Sequence, residues 1–172
     1  PPRVVHVLPA RVMWQRTGLW DKVTAAAKGI PGAVPMKSEM RVVLPNGGIY
    51  QCGGMDKPDN WLGGYADELI EDEADDVIAS GLDMVAVPML LAYQGTRIKI
   101  GTPKGKGRLA KAYNAAPSHA RFLLPWQATG VYTAEEVASM RQSPSNPDGL
   151  DEEEFAQEME CSFTSPNAGS YY

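Results

Sequence analysis

The sequence predicts an α/β fold in which a mostly parallel β-sheet is flanked by helices and carries an added β-hairpin. β-prone runs alternate with helix-like segments along most of the 172 residues, which is the pattern that parallel sheets produce. Two of these runs end in polar residues, Asp72-Glu73 and Gly101-Thr102, as expected where a site lies at the carboxyl edge of a sheet. An Asn46-Gly47 pair between two other β-rich runs indicates a hairpin.

The first half of the chain opens with an apolar, β-branched run at residues 3–8 that stops at Pro9, which predicts a buried strand. Apolar residues at mixed helical spacing predict a helix over residues 10–28, with Gly18 as a weak point and Gly29 at its end. The elements predicted next are the two hairpin strands at 40–44 and 49–52 and a polar, glycine-rich loop at 53–64.

In the second half, Thr133-Ala134-Glu135-Glu136 predicts a capping box that opens a helix running to about residue 142. Gly81 and Pro88 are the predicted breaks in a helix over residues 77–93. The other predicted elements are strands at 66–74, 96–100 and 120–124, helices at 108–113 and 150–161, a linker-like loop at 143–149 and a tether at 165–170.

Charge and composition argue against a basic nucleic-acid-binding face, a membrane span and a cysteine metal site. The net charge is −5, with acidic residues concentrated at 67–76 and 151–160, so a globally basic face for nucleic acid is excluded. Any DNA contact would need a local patch, for which the candidates are Lys99, Lys104, Lys106, Arg108 and Lys111. The longest apolar stretch, residues 84–93, is interrupted by Pro88 and is too short to cross a bilayer. Cys52 and Cys161 have no metal-ligand spacing.

Asp72 and Glu73, near the end of the strand predicted over residues 66–74, are candidates for phosphoryl-transfer chemistry. Such chemistry needs charge neutralisation by Mg²⁺ and a positioned nucleophile more than covalent help. Asp72 would hold the metal, and Glu73 would polarise an attacking water. The alternative interpretation is a solvated acidic cap at the start of the following helix, where carboxylates favour the helix dipole.

The turn Gly101-Thr102-Pro103-Lys104-Gly105-Lys106-Gly107 has the composition of a phosphate-binding loop but lacks the G-x-x-x-x-G-K-[ST] spacing. Nothing else in the 172 residues fits that spacing either. The backbone amides and the lysine that cradle nucleotide phosphates are therefore missing from this sequence. Lys104 and Lys106 are candidates for phosphate contacts, with a solvated turn as the alternative.

Taken in order, the motifs of this chain resemble those of the ATPase domain of the large terminase subunit, the DNA-packaging motor of tailed bacteriophages. The resemblance covers nearly the whole chain, and it rests on the order and spacing of motifs that are weak one by one. The matching segments are residues 4–9 followed by a helix with Trp14, Val43-Leu44-Pro45-Asn46-Gly47-Gly48, Leu62-Gly63-Gly64, Leu69-Ile70-Glu71-Asp72-Glu73-Ala74, Pro88-Met89-Leu90, Ile100-Gly101-Thr102-Pro103-Lys104-Gly105, and Phe155-Ala156-Gln157-Glu158 with Cys161 and Phe163.

The resemblance implies a P-loop NTPase fold of the ASCE, RecA-like type, with ATP and Mg²⁺ as cofactors. It implies that Asp72 is the Walker B metal ligand, that Glu73 is the catalytic carboxylate, and that Gly101 and Thr102 belong to the nucleotide-sensing coupling motif. Residues 1–163 would then be a partial ATPase domain and residues 164–172 a linker. The first strand and the Walker A loop would fall upstream of Pro1, and a nuclease domain would follow Tyr172.

For the intact protein, the resemblance implies ATP-driven translocation of double-stranded DNA into a procapsid. The implied partners are the viral DNA, the portal protein, the small terminase subunit and further copies in a homo-oligomeric ring, in the cytoplasm of the infected bacterial host and without a membrane. Members of the family often carry an arginine finger just before the loop that here reads Trp61-Leu62-Gly63-Gly64. This sequence has none there, so Arg41, Arg97 or a residue outside the chain would take that role.

Two alternatives remain open from the sequence. A helicase-type ATPase shares the Asp-Glu strand and a threonine-bearing coupling motif, but it would add a second RecA-like domain rather than a nuclease. A non-catalytic assembly module would use the carboxylates only to cap a helix. For the residues outside these motifs we expect structural roles: His6 as a core histidine, His119 as a loop residue, and the four tryptophans as packing residues.

Overall fold

A six-stranded sheet organises the first of the two compact units into which the chain divides, residues 1–100. The computed structural model describes residues 1–77 and 79–164, without the side chains of Ala79 and Ser80, so the tether predicted at 165–170 lies outside the described residues. The strand order is β2-β3-β4-β1-β5-β6. The strands are β1 (Arg3–Leu8), β2 (Val34–Met36), β3 (Arg41–Val43), β4 (Ile49–Gly54), β5 (Glu68–Glu71) and β6 (Thr96–Lys99).

The sheet is mostly parallel, which confirms the predicted fold class. β1 pairs in parallel with β4 on one side and with β5 on the other, and β5 pairs in parallel with β6. The predicted hairpin is present as the antiparallel pair β3–β4, and β2, which was not predicted, extends it by one short antiparallel strand. The carboxyl ends of β4, β1, β5 and β6 therefore meet at one edge of the sheet.

Apolar clusters cover both faces of the sheet, because successive side chains of a strand point to opposite faces. Val5 and Val7 of β1 pack against helix α3 (Ala79–Leu91). Leu8 of the same strand packs on the other face, against Trp14 of α1 (Met13–Arg16) and Trp20 of α2 (Leu19–Lys28). These tryptophans are 1% and 3% exposed, which confirms their predicted packing roles. β1 is thus the buried centre of the unit.

Two helices differ from the sequence predictions. The segment predicted as one helix over residues 10–28 is split into α1 and α2, because Gly18 adopts the left-handed conformation (φ 70°) between them. The breaks predicted at Gly81 and Pro88 do not occur, since α3 includes both residues. No described helix has the length and apolar character needed to cross a membrane.

The second unit, which begins at Gly101, is helical in its described part. The capping boxes of its helices α6 and α7 are both present, at Thr133 with Glu136 and at Asp151 with Glu154, and the first of these confirms the prediction made for that site. Phe155 is 1% exposed, and the guanidinium of Arg141 lies over its ring. The helices are α4 (Arg108–Ala115), α5 (Trp126–Thr129), α6 (Ala134–Met140) and α7 (Glu152–Glu160).

The strand predicted over residues 120–124 is wrong. A single 3-10 turn, Ser118–Ala120, is followed by chain that belongs to no strand. Phe122 and Leu124 are 76% and 65% exposed, so the apolar run that predicted a buried strand is largely solvent-accessible. Prolines at 117 and 125 bound the run, and proline supplies no backbone donor to a ladder.

Candidate functional site

The site predicted from the sequence lies in the turn that follows β5. Hydrogen bonds to both neighbouring strand ends fix this turn: the Asp72 amide donates to Val7 O at 2.9 Å, and the Ala74 amide donates to Ile100 O at 2.9 Å. Asp72 and Glu73 are therefore held at the carboxyl edge of the sheet, between the ends of β1 and β6. Both are only partly exposed.

Glu73 has an unusual backbone conformation, with a φ of 54°. A non-glycine residue in the left-handed region costs about 1 kcal/mol, and the turn compensates with several hydrogen bonds. The Glu73 amide donates to Asp72 Oδ1 at 3.0 Å, and the Glu73 carbonyl accepts from the amides of Asp76 (2.8 Å) and Val77 (3.2 Å). Backbone strain of this kind concentrates at functional sites.

The interpretation of these carboxylates as a helix cap stays an alternative to the catalytic one. Helix α3 begins at Ala79, and its first turn contains no acidic residue. The three hydrogen bonds of the Glu73 backbone given above run within the turn itself rather than to the start of α3.

The Asp72 side chain lies on the face of the sheet that α1 and α2 cover. Its Oδ2 is 3.3 Å from His6 Nε2, and His6 Nδ1 is 2.5 Å from Tyr50 Oη. Burial, and then the nearby acidic groups Cys52, Asp72 and Glu68, raise the pKa of Tyr50 well above its usual value. His6 is thus a satisfied, mostly buried histidine as predicted, but one of its partners is the candidate metal ligand.

Glu71, one residue earlier, points to the opposite face and is fully buried. Arg97 of β6 pairs with it and also with Asp83 of α3, at 2.6 Å for the second contact. Burial alone would lower the pKa of Arg97, but the hydrogen bonds and charges of Glu71 and Asp83 outweigh it and raise that pKa. Arg97 is therefore a counter-ion within its own unit, which argues against its use as an arginine finger.

The other arginine considered for that role, Arg41 of β3, pairs with Glu39 at 2.9 Å and is partly exposed. Its guanidinium also donates to the sulfur of Met36. Nothing in these contacts marks Arg41 for catalysis.

Gly101 and Thr102 follow β6 in the chain after Ile100 and are the first residues of the second unit. Gly101 has a φ of 153°, in a region that is essentially restricted to glycine. β5 and β6 are parallel neighbours in the sheet of the first unit. The predicted roles of all four site residues, Asp72, Glu73, Gly101 and Thr102, remain predictions.

The carboxylate of Asp72 suits a Mg²⁺ ion that takes its other ligands from water and from a bound phosphate. Among the described residues no group of three or more His, Cys, Asp or Glu side chains could hold a metal ion by itself. Mg²⁺ commonly binds through one or two carboxylates and completes its shell with water and substrate phosphates. Asp72, whose side chain is 23% exposed, offers hard oxygen ligands suited to a metal that arrives with a phosphate ligand.

Sequence reasoning missed the partners of this site. It assigned no separate role to Glu71 and none to Tyr50. The alternation of strand side chains places Glu71 and Asp72 on opposite faces, and that signal was readable. The position of β1 between β4 and β5, which brings Tyr50 and His6 to Asp72, was not.

Comparison with known proteins supports the fold. No family model and no curated protein matches the chain. The Thermus phage P74-26 large terminase ATPase domain has a TM-score of 0.58 at 16% identity, over 95% of this chain and 77% of that one. The large terminase of a thermophilic bacteriophage, in complex with ADP, has a TM-score of 0.66 at 9% identity, over 95% of this chain and 41% of that one. A second crystal form of that thermophilic phage protein has a TM-score of 0.62 at 10% identity, over 83% of this chain and 38% of that one.

The chain therefore has the fold of phage large terminase ATPase domains, which confirms the resemblance seen in the sequence at the level of the fold. It spans less than half of the two thermophilic phage terminase chains that it matches.

Proposed function

We propose that this chain is part of the ATPase of a DNA-packaging motor similar to the phage large terminase subunit. The observation that carries the proposal is the turn of Asp72 and Glu73. In a sheet with the terminase ATPase fold, this turn holds two adjacent carboxylates at the carboxyl edge, one of them in a strained conformation. Strained residues of this kind concentrate at functional sites, and here the strained residue carries one of the two carboxylates.

In this proposal Asp72 binds Mg²⁺ through its carboxylate. The metal would supply charge neutralisation on the transferred phosphoryl group. Glu73 orients a water molecule and accepts its proton as the water attacks the terminal phosphate of ATP. Backbone hydrogen bonds from Asp72 to Val7 and from Ala74 to Ile100 fix the backbone of Glu73 between the ends of β1 and β6, which matters because phosphoryl transfer depends mainly on positioning.

The proposal requires a phosphate-binding loop, which the 172 residues do not contain. Among the described residues β6 lies at the edge of the sheet and pairs only with β5. An additional parallel strand beside β6 would bring such a loop next to the ends of β5 and β6. The ADP bound by the thermophilic phage terminase is consistent with a nucleotide as the ligand.

For the whole motor we propose double-stranded DNA as the substrate that is moved, with the portal protein, the small terminase subunit and further copies in a ring as partners, in the host cytoplasm. Gly101 and Thr102 would couple the nucleotide state to DNA movement. Because the net charge is −5, DNA contact would depend on a local group of lysines such as Lys104 and Lys106.

The experiment compares Glu73→Gln with Glu68→Gln in the complete protein that contains these residues. Glu68 lies at the amino end of the same strand, so the control makes the same chemical change away from the carboxyl edge. We expect Glu73→Gln to lower ATP turnover by about 100-fold or more, with nucleotide affinity unchanged, and Glu68→Gln to retain activity. Wild-type turnover in Glu73→Gln would rule out the role assigned to Glu73.

A further inference from the structure

A chain of hydrogen bonds runs across three neighbouring strands and ends on Asp72. Tyr50 lies on β4, His6 on β1, and Asp72 just after β5. In register His6 is opposite Cys52 of β4 and Ile70 of β5, so the imidazole reaches diagonally to Tyr50 on one side and to Asp72 on the other. The two contacts measure 2.5 and 3.3 Å.

When the imidazole is neutral, the hydrogen-bonding capacities of the three groups give this chain one direction. An ionised carboxylate only accepts, so His6 Nε2 must carry the hydrogen that faces Asp72 Oδ2. In the neutral imidazole Nδ1 is then the acceptor, and the Tyr50 hydroxyl donates to it. Burial favours the protonated phenol and raises the pKa of Tyr50, in agreement with its role as donor.

Packing holds the imidazole in this orientation. The Trp14 ring meets the His6 ring edge to face at a centroid distance of 4.8 Å. Trp14 is itself 1% exposed and donates from its indole nitrogen to Gly53 O at 2.7 Å. His6 therefore has little freedom to rotate away from Asp72.

Both oxygens of the Asp72 carboxylate have partners as a result. Oδ2 faces His6, and Oδ1 accepts from the Glu73 amide at 3.0 Å. The carboxylate is thereby fixed in one orientation before any ligand arrives. Groups that orient a metal-binding carboxylate in this way typically alter metal affinity by about 10- to 100-fold when they are removed.

We infer that His6, held by Tyr50, is a positioning residue that orients Asp72 for divalent-metal binding, an inference that rests on the proposed function of Asp72. A histidine that only fills the core needs its polar atoms satisfied, and backbone carbonyls suffice for that. His6 instead joins two side chains on different strands, and one of them is the only metal ligand that the proposal assigns.

The test uses Mn²⁺ as a paramagnetic probe, with ADP present, in the complete protein that contains these residues. Electron paramagnetic resonance of free Mn²⁺, corrected for the Mn²⁺ that ADP binds without protein, gives the metal affinity without reference to turnover, and the thermal midpoint of each variant reports its fold. The variants are His6→Asn, His6→Gln, Tyr50→Phe and Asp72→Asn. His119→Gln is the matched control, because His119 is the only other histidine and is exposed.

We expect His6→Asn to weaken Mn²⁺ binding about 10-fold or more, because the shorter asparagine side chain has no nitrogen at the position of His6 Nε2 and cannot donate to Asp72. His6→Gln places an amide nitrogen near that position and should retain affinity within about 3-fold. Tyr50→Phe removes only the hydroxyl group and should give an intermediate loss. His119→Gln should match the wild type.

Wild-type Mn²⁺ affinity in His6→Asn, combined with its loss in Asp72→Asn, would overturn the inference and leave the proposed function standing. Unchanged Mn²⁺ affinity in Asp72→Asn would remove the proposed function, and this inference with it. Equal losses of affinity and thermal midpoint in His6→Asn and His6→Gln would reduce His6 to a structural role. If His6→Asn does not fold, Tyr50→Phe decides, and wild-type affinity in that variant overturns the inference.

Discussion

Three consecutive acidic residues at the end of β5 occupy three different environments. Glu71 is buried against Arg97 on one face, Asp72 meets His6 on the other, and Glu73 lies in a turn with a positive φ. The same side-chain chemistry therefore serves an ion pair, a candidate metal ligand and a candidate base. What separates them is the alternation of the strand and the neighbours that the sheet order provides.

Among these residues, the pairing of Glu71 with Arg97 contributes most directly to the stability of the end of β5. Arg97→Met would leave a fully buried carboxylate without its guanidinium partner. We expect a loss of about 3 kcal/mol in the free energy of unfolding, measured by urea denaturation. Arg41→Met is the matched control, because its partner Glu39 is 46% exposed, and it should cost less than about 1 kcal/mol.

A double variant distinguishes the cost of the unpaired Glu71 charge from the cost of the altered packing. Glu71→Leu combined with Arg97→Met should recover most of the lost stability, since a buried ion pair is often no more stabilising than well-packed apolar residues. Equal losses for Arg97→Met and Arg41→Met would show that the buried pair contributes nothing beyond a surface contact.

Individual elements could be predicted from the sequence wherever the signal was local. The capping box at Thr133, the Asn46-Gly47 hairpin and the strand that leads into Asp72 and Glu73 all rest on residues a few positions apart. The structure contains all three, with the strand limited to Glu68–Glu71. The prediction of a strand at 120–124 was wrong, because a strand forms only where another strand pairs with it. The apolar run alone does not show whether such a partner exists. The split between α1 and α2 was predicted in part. Gly18 indicated a weak point in the helix, but the sequence did not show that Gly18 would adopt the left-handed conformation that ends one helix and begins the next.

That split provides a clean test, because a side chain at Gly18 would have open space around it. No atom lies within 4 Å of the position that a Cβ would occupy, but φ is 70°, so the cost of Gly18→Ala is confined to the backbone. We expect a loss of about 1 kcal/mol in the free energy of unfolding, measured by urea denaturation. Gly29→Ala, at a φ of −74° and with the Ala26 carbonyl oxygen 3.3 Å from the new Cβ, is the control and should not lower the free energy of unfolding, because its backbone is unstrained. Similar effects for both variants would mean that the left-handed turn is not maintained in solution.

For the whole molecule, the sequence predicted the layer architecture and the edge of the sheet where the site lies, but not the order of the strands. Alternating β-prone and helical segments are enough to indicate a parallel sheet with helices on its faces. Strand order depends on contacts between residues far apart in the chain, such as β1 (Arg3–Leu8) between β4 and β5. Asp72 and Glu73 were therefore recognised as candidates from their own motif, whereas His6, Tyr50 and Arg97 acquired their roles only through that order.

The last prediction concerns the 172 residues as a molecule on their own. They provide carboxylates for a metal and a water, but no G-x-x-x-x-G-K-[ST] segment whose backbone amides and lysine would hold the phosphates of ATP. Correct placement of the nucleotide supplies a large part of the rate enhancement in phosphoryl transfer, so Asp72 and Glu73 alone should not suffice. We expect phosphate release by the purified 172-residue chain, with Mg²⁺ and ATP, to equal that of its own Glu73→Gln variant. Robust turnover that Glu73→Gln abolishes would show that this chain binds the phosphates by another route, and it would contradict the need for an additional loop.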